Sequence, residues 1–133
     1  MLENWLKPLD GDLFHHQNDK NKFGSNIQSY VDKLPNLKKT QLAIIGIGEA
    51  ETNEVRKVLY DMTFPFSKIK IADLGNLRKE ENAFITQLLK ELIEGGVCPI
   101  IIGHEGKFTQ AQFFAHHSSQ PSVSLVEVKE RIA

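Results

Sequence analysis

Cysteine is almost absent from the chain: Cys98 is the only one, so no disulfide can form within it. A lone cysteine is typical of proteins in a reducing compartment, and we therefore expect a cytoplasmic protein. Long hydrophobic runs are also lacking, since stretches such as residues 98–102 are far shorter than the roughly 20 apolar residues of a membrane span. We expect no association with a membrane, and we interpret Cys98 as a buried core thiol.

An excess of positive or of negative charge is also lacking. The chain has 16 basic and 17 acidic residues, with a formal net charge of −1. Proteins that bind nucleic acid carry a basic excess that neutralises phosphates, so we exclude nucleic acid as the main partner. Hydrophobic residues make up 41% and charged residues 25% of the 133 residues, a composition and length that suit one globular domain.

The first forty residues have no regular apolar pattern. Prolines and glycines interrupt them, and we interpret residues 1–40 as an N-terminal arm that lies over the body of the domain. At most one short helix is expected in the arm, at residues 27–33. Four large apolar side chains are candidate anchors of the arm: Trp5, Leu6, Phe14 and Phe23.

Residues 41–133 alternate between short apolar runs and segments with apolar residues at helical spacing. The runs predict strands at 42–47, 69–72, 99–102 and 123–128. The segments between them predict helices at 51–62, 79–94 and 107–116. The apolar stripe of the first helix is Val55, Val58, Leu59 and Met62. That of the second helix is Phe84, Ile85, Leu88, Leu89, Leu92 and Ile93, and Gly95 is the αL residue expected to end this helix. The order βαβαβαβ predicts an α/β fold, with a parallel sheet between two helical layers (αβα).

Four segments of this region carry a resemblance to a known family. They are QLAIIGI at 41–47, VRKVLY at 55–60, IADLGN at 71–76 and EGGVCPIIIG at 94–103. Together they resemble the N-terminal half of the ureohydrolase superfamily, which includes arginase, agmatinase and formimidoylglutamase. The resemblance runs from about residue 22 to the end of the sequence. It implies the arginase-like α/β fold, and we expect either a strand order of 2-1-3-4 or a dimer formed edge to edge.

The family hydrolyses guanidino or formimino C–N bonds at a two-manganese centre. Carried onto this sequence, the position of the first histidine ligand falls on Gly106, and the next ligand positions fall on Lys129, Arg131 and Ala133. Cations at such positions repel Mn²⁺. The resemblance therefore predicts no catalytic residue, no metal ligand and no cofactor, as in a short pseudoenzyme or a fragment of a longer, non-catalytic member.

The function predicted from these features is a non-catalytic one: a scaffold, an oligomerisation unit that associates through a sheet edge, or a binder of a small molecule. One alternative is an active hydrolase of the formimidoylglutamase type, with a site built from substitute residues. A second alternative is a small α/β module that binds an anion or a nucleotide.

The candidate ligand loop follows the third predicted strand, where α/β sheets form their clefts. Its residues are Gly103, His104, Glu105, Gly106 and Lys107, joined by Asp73 from the turn after the second strand. We consider two interpretations of His104 and Glu105. They form either an acid–base or metal-binding pair or, more simply, a solvated turn. The glycines are too close together for a triphosphate loop, but Lys107 and the next helix could hold one anion. We interpret Asp73 as a cap of the loop before the next helix.

Overall fold

The computed structural model describes residues 2–14, 19–66 and 68–103, which form a mixed α/β fold around a five-stranded, mostly parallel sheet. The strands are β1 (Leu6–Lys7), β2 (Gln28–Ser29), β3 (Leu42–Ile47), β4 (Ile71–Leu77) and β5 (Cys98–Gly103). The helices are α1 (Phe23–Asn26), α2 (Glu49–Tyr60) and α3 (Asn82–Glu94). Short 3₁₀ turns cover Leu2–Asn4 and Gly11–Phe14.

The centre of the sheet is β3, with β4 and β5 parallel to it on either side. This arrangement is the order 2-1-3 expected for the first three predicted strands. The predicted boundaries of β3 are confirmed, and five of its six residues are buried, as its continuous apolar run predicts. The predicted helix at 107–116 and strand at 123–128 lie outside the described residues.

The N-terminal arm contributes two strands to the sheet and is not merely a cover. Strand β1 pairs antiparallel with the end of β4, where Leu6 lies opposite Leu77, and β2 pairs in parallel with the beginning of β4. The helix predicted at 27–33 is wrong, since Gln28–Ser29 form β2 instead. This strand gives hydrogen-bond partners to the backbone of β4, which would otherwise be an open edge of the sheet. Leu6 and Phe23 are buried as expected, and Trp5 packs half-buried against the core. The side chain of Phe14 lies outside the described part.

Alternate residues of β3 belong to two different apolar clusters. Ala43, Ile45 and Ile47 pack in one cluster with the apolar stripe of α3, which is Ile85, Leu88, Leu89 and Leu92. Ile44 packs in the other with Ile71 of β4 and Tyr60 of α2. The predicted stripe of α3 is largely confirmed, since its four central members are buried. The helix ends differently, however: Gly96 has the positive φ of 83°, whereas the predicted αL residue Gly95 has φ −81°.

The orientation of α2 is the reverse of the one its apolar residues predict. Val55, Val58 and Met62 are exposed by 45%, 68% and 55%. The buried side of the helix instead consists of Thr52, Arg56 and Tyr60. The predicted apolar stripe is therefore wrong as a core face at Val55, Val58 and Met62, whereas its fourth member, Leu59, packs half-buried against the second cluster. The polar partners of Arg56 explain this orientation. No helix among the described residues is long and apolar enough to cross a membrane.

Candidate functional site

The carboxyl ends of the three parallel strands lie at one edge of the sheet, where ligands bind in open α/β folds. One feature extends to this edge from the middle of the sheet, and a second lies at the edge itself. The first, which we call the buried network, consists of Thr52, Arg56, Tyr60, Asp73 and Asn76. The second, which we call the arm cavity, lies beside the end of β4 and is lined by Asn4, Trp5, Arg78, Lys79 and Phe84.

The members of the buried network from α2 are spaced four residues apart, at 52, 56 and 60, so they lie on one face of the helix. On β4 the network residues are three apart, at 73 and 76, although alternate strand residues share a face. A bulge resolves this difference. Asp73 pairs with Ile44 but Asn76 pairs with Gly46, and Gly75 between them has φ 82°. The extra residue returns Asn76 to the side of the sheet that carries Asp73.

At the centre of the network is an ion pair between Arg56 and Asp73, whose side chains are fully buried. Nε of Arg56 donates to Oδ2 of Asp73 at 2.8 Å, and Nη2 donates to Oδ1 at 2.9 Å. Nη2 also donates to the carbonyl of Gly75 at 3.0 Å, and Nη1 donates to Oδ1 of Asn76 at 2.6 Å. The paired, two-pronged geometry is the strongest that arginine and a carboxylate can form.

Two hydroxyl groups extend the network. The Tyr60 hydroxyl donates to Oδ2 of Asp73. Burial, reinforced by the negative charge of Asp73, raises the pKa of Tyr60 far above its ordinary value, so the phenol is neutral. The Thr52 hydroxyl donates to the carbonyl of Gly48 at 2.6 Å, and its oxygen lies 3.1 Å from Oδ1 of Asn76.

Space for the guanidinium depends on Gly46 of β3. A Cβ atom at this position would lie 2.9 Å from Nη1 and 3.0 Å from Nη2 of Arg56, and would also collide with the Asn76 side chain. These contacts are closer than carbon atoms normally approach nitrogen. A side chain at 46 would therefore displace Arg56 from Asp73, and glycine is required there for a steric reason.

The polar groups of the network bond one another, which gives the network a structural role. Both carboxylate oxygens of Asp73 accept hydrogen bonds from Arg56, and a backbone N–H and a phenol add to them. The charge of the carboxylate is balanced by the guanidinium, so the oxygens are not available to a cation in this arrangement. Asp73 consequently does not fit the role of a manganese ligand.

The arm cavity has a different character, because it is open to solvent and lined by cations and aromatic rings. Its volume is about 160 Å³. Antiparallel pairing of β1 with β4 brings the two walls together, and the Arg78 amide donates to the carbonyl of Trp5 at 2.9 Å. Nε of Arg78 donates to the carbonyl of Leu6 at 2.8 Å, and the Lys79 ammonium lies 5.1 Å from the ring centroid of Phe84.

The candidate residues chosen from the sequence are not brought together in the described part of the structure. Gly103 ends β5 with φ 113°, and a Cβ there would collide with the carbonyl of Ile47. Asp73 lies inside β4, in the middle of a strand, so its interpretation as a loop cap is wrong. His104, Glu105, Gly106 and Lys107 lie outside the described residues.

Sequence reasoning missed most of the residues that the structure places at this edge. A signal for the network was present, because the polar residues of α2 recur every four positions, like its apolar ones. No comparable signal marks the arm cavity, whose walls include Trp5 and Arg78, 73 positions apart in sequence. Cys98, interpreted as a core thiol, is exposed at the beginning of β5.

Comparison of the chain with family models, with curated proteins and with solved structures finds no match. No group of three or more His, Cys, Asp or Glu side chains within residues 2–14, 19–66 and 68–103 is placed to hold a metal ion. Assignment of a function therefore depends on the geometry of the buried network and of the arm cavity.

Proposed function

We propose that this chain is an arginase-like domain of the ureohydrolase superfamily that acts by binding, without a manganese centre and without hydrolysis. The observation that carries this proposal is the state of Asp73. It is the one site carboxylate predicted from the sequence that the structure describes, and its oxygens bond Arg56 and Tyr60. A carboxylate held in this way orders the middle of β4 but does not ligate a metal.

The three-layer αβα arrangement is part of the same proposal. It is supported by the two apolar clusters, because Ile45 packs with α3 and its neighbour Ile44 packs with Tyr60 of α2. Neighbouring residues of a strand point to opposite faces of the sheet. Helices that contact alternate residues of β3 therefore belong on opposite faces, as right-handed crossovers in a parallel sheet require.

Manganese binding and amidine hydrolysis test the proposal directly. We expect purified protein to bind no stoichiometric Mn²⁺ in calorimetry or elemental analysis, and to release no urea from arginine or agmatine and no formamide from formimidoylglutamate. The measurements are made on the 133-residue chain and on the complete product of its gene. Two tightly bound Mn²⁺ ions together with hydrolysis would instead establish the alternative, an active formimidoylglutamase-type enzyme.

Self-association through the β5 side of the sheet is a second role that one observation favours. In the described part of the sheet β5 is the outermost strand, and Ile100 on it is exposed. Exposed apolar strands at a sheet edge promote pairing between copies. We expect light scattering to detect a dimer that Ile100→Lys weakens, while Val58→Lys on the outer side of α2 leaves it unchanged. A monomer at all concentrations would exclude this role.

A further inference from the structure

We propose that the arm cavity binds a small aromatic anion, whose ring packs on Trp5 and Phe84 and whose charged group contacts Arg78 and Lys79. This ligand class specifies the binding role proposed above and depends on that role. The cavity itself is defined by the described residues alone, whatever the family of the chain.

The charge of the lining selects an anion. Arg78 and Lys79 are the only charged residues that line the cavity within the described part of the chain, and both are exposed. Glu80 and Glu81 follow them in sequence but do not line the cavity. Phe84 lies in the first turn of α3, a helix of 13 residues whose N-cap is Glu81. The Glu81 carboxylate offsets the positive end of the helix dipole, so selection of an anion rests on Arg78 and Lys79.

The arginine is already positioned for such a ligand. Its Nε bonds the carbonyl of Leu6, which fixes the guanidinium against the arm. Among the described residues, no hydrogen bond or ion pair engages the two terminal Nη atoms. A group that is ordered before binding loses less conformational entropy when the ligand arrives. Arg78 can thus offer two N–H donors to a carboxylate or a phosphate without rearranging.

The aromatic walls and the size of the cavity select the rest of the ligand. Trp5 and Phe84 are half-buried, so each presents part of a flat apolar ring to the cavity. Packing against such rings favours a planar aromatic group. A cavity of about 150 Å³ is known to accommodate benzene, and the arm cavity has about 160 Å³. One substituted ring fits this space.

Trp5 is the only tryptophan in the chain, so its indole N–H gives a single, assigned NMR signal from a residue that lines the cavity. Benzoate is the probe, with phenyl phosphate to separate carboxylate from phosphate recognition. Benzamide removes the charge but keeps the ring, and cyclohexanecarboxylate keeps the charge but removes the aromatic ring. We expect benzoate or phenyl phosphate to shift the indole signal saturably, and both control compounds to bind more weakly.

Substitutions in the lining identify the site. Lys79→Gln removes an exposed charge and should weaken benzoate binding by up to about fivefold, in line with the loss of one exposed ion pair. Phe84→Leu should weaken it as well. Lys38→Gln is the matched control, because Lys38 is an equally exposed lysine that precedes β3, near the amino ends of the strands. It should leave the affinity unchanged. Fold integrity of every variant is checked by its amide spectrum.

The proposal is overturned if the indole signal does not move saturably with benzoate or phenyl phosphate, or if Lys79→Gln and Phe84→Leu bind the probe as the wild type does. Saturable binding that moves other signals but not Trp5 would refute the cavity and leave the binding role of the domain intact. Manganese-dependent hydrolysis, in contrast, would refute the non-catalytic function and leave the cavity in place.

Discussion

At the scale of single residues, Arg56 determines how α2 meets the sheet. An arginine is rarely buried, because removing its charge from water is costly unless a partner compensates. Here the guanidinium donates four hydrogen bonds to Asp73, Asn76 and the Gly75 carbonyl. Such a pair adds little stability relative to well-packed apolar residues, but breaking it leaves an unpaired buried charge. Its value is that it fixes one orientation of the helix.

We predict that Arg56→Met lowers the free energy of unfolding by about 3–5 kcal/mol, because the Asp73 carboxylate loses its counter-charge inside the protein. Urea denaturation measures the change. Lys57→Met is the matched control: Lys57 is adjacent and exposed, and should change stability by no more than about 0.5 kcal/mol. The double variant Arg56→Met/Asp73→Asn should be more stable than the sum of the single changes implies. Strict additivity would show that the two side chains are not coupled.

Tyr60 gives the network a pH dependence at the alkaline side. Burial and the charge of Asp73 raise its pKa in the folded protein above the ordinary value of 10.0, so the folded state keeps a proton that the unfolded chain loses. The resulting stability is fully present below pH 10 and is lost as the pH rises beyond it, by up to about 1.4 kcal/mol per pH unit.

We predict that the stability difference between wild type and Tyr60→Phe is constant from pH 7 to 9 and decreases above pH 10. Titrating lysines affect both proteins alike, so the difference isolates the phenol. Urea denaturation of the two proteins in parallel buffers measures it. A difference that stays constant to pH 11 would mean that Tyr60 ionises as it does in the unfolded chain.

At the scale of elements, the sequence is informative wherever one kind of side chain dominates. The apolar run of β3 and the single apolar stripe of α3 each allow one placement, and both predictions hold. The sequence is ambiguous for α2, whose apolar and polar residues form two stripes of similar period. Hydrophobicity favours burying Val58, but a distant residue, Asp73, reverses the choice. The turn predicted to follow the second strand, at 69–72, is wrong, because Gly75 allows a bulge inside β4, which continues to Leu77.

The orientation of α2 can be tested by comparing two hydrophobic helix residues. We predict that Val58→Lys, on the exposed side of α2, changes the unfolding free energy by no more than about 0.5 kcal/mol. Leu88→Ala, in the buried stripe of α3, should lower it by about 2–5 kcal/mol. Thermal or urea unfolding gives both values. If Val58→Lys is as damaging as a core substitution, α2 is packed the other way round.

At the scale of the whole molecule, the arm and the body are one structure, which sequence reasoning could not predict. The arm has few apolar residues in any regular pattern, so its two-residue strands carry no local signal. Its place is set by β4, whose outer side needs hydrogen-bond partners along its whole length. Tyr30 donates its amide to the Asp73 carbonyl at 2.9 Å, and Leu6 is buried in the core cluster. The arm cavity exists because of this docking.

Native-state hydrogen exchange distinguishes an integral arm from a peripheral one. The amides of Tyr30 and Arg78 bond the arm and β4 to each other, and the Leu9 amide bonds the Tyr30 carbonyl within the arm. We predict that all three exchange with nearly the same opening free energy as the core amide of Ala43. Leu6→Ala should lower the values at all four positions together by about 2–5 kcal/mol, because it removes a fully buried side chain shared by both parts. Local opening of the arm would instead give Leu9 and Tyr30 much lower opening free energies than Ala43, and Leu6→Ala would then leave the value at Ala43 in β3 unchanged.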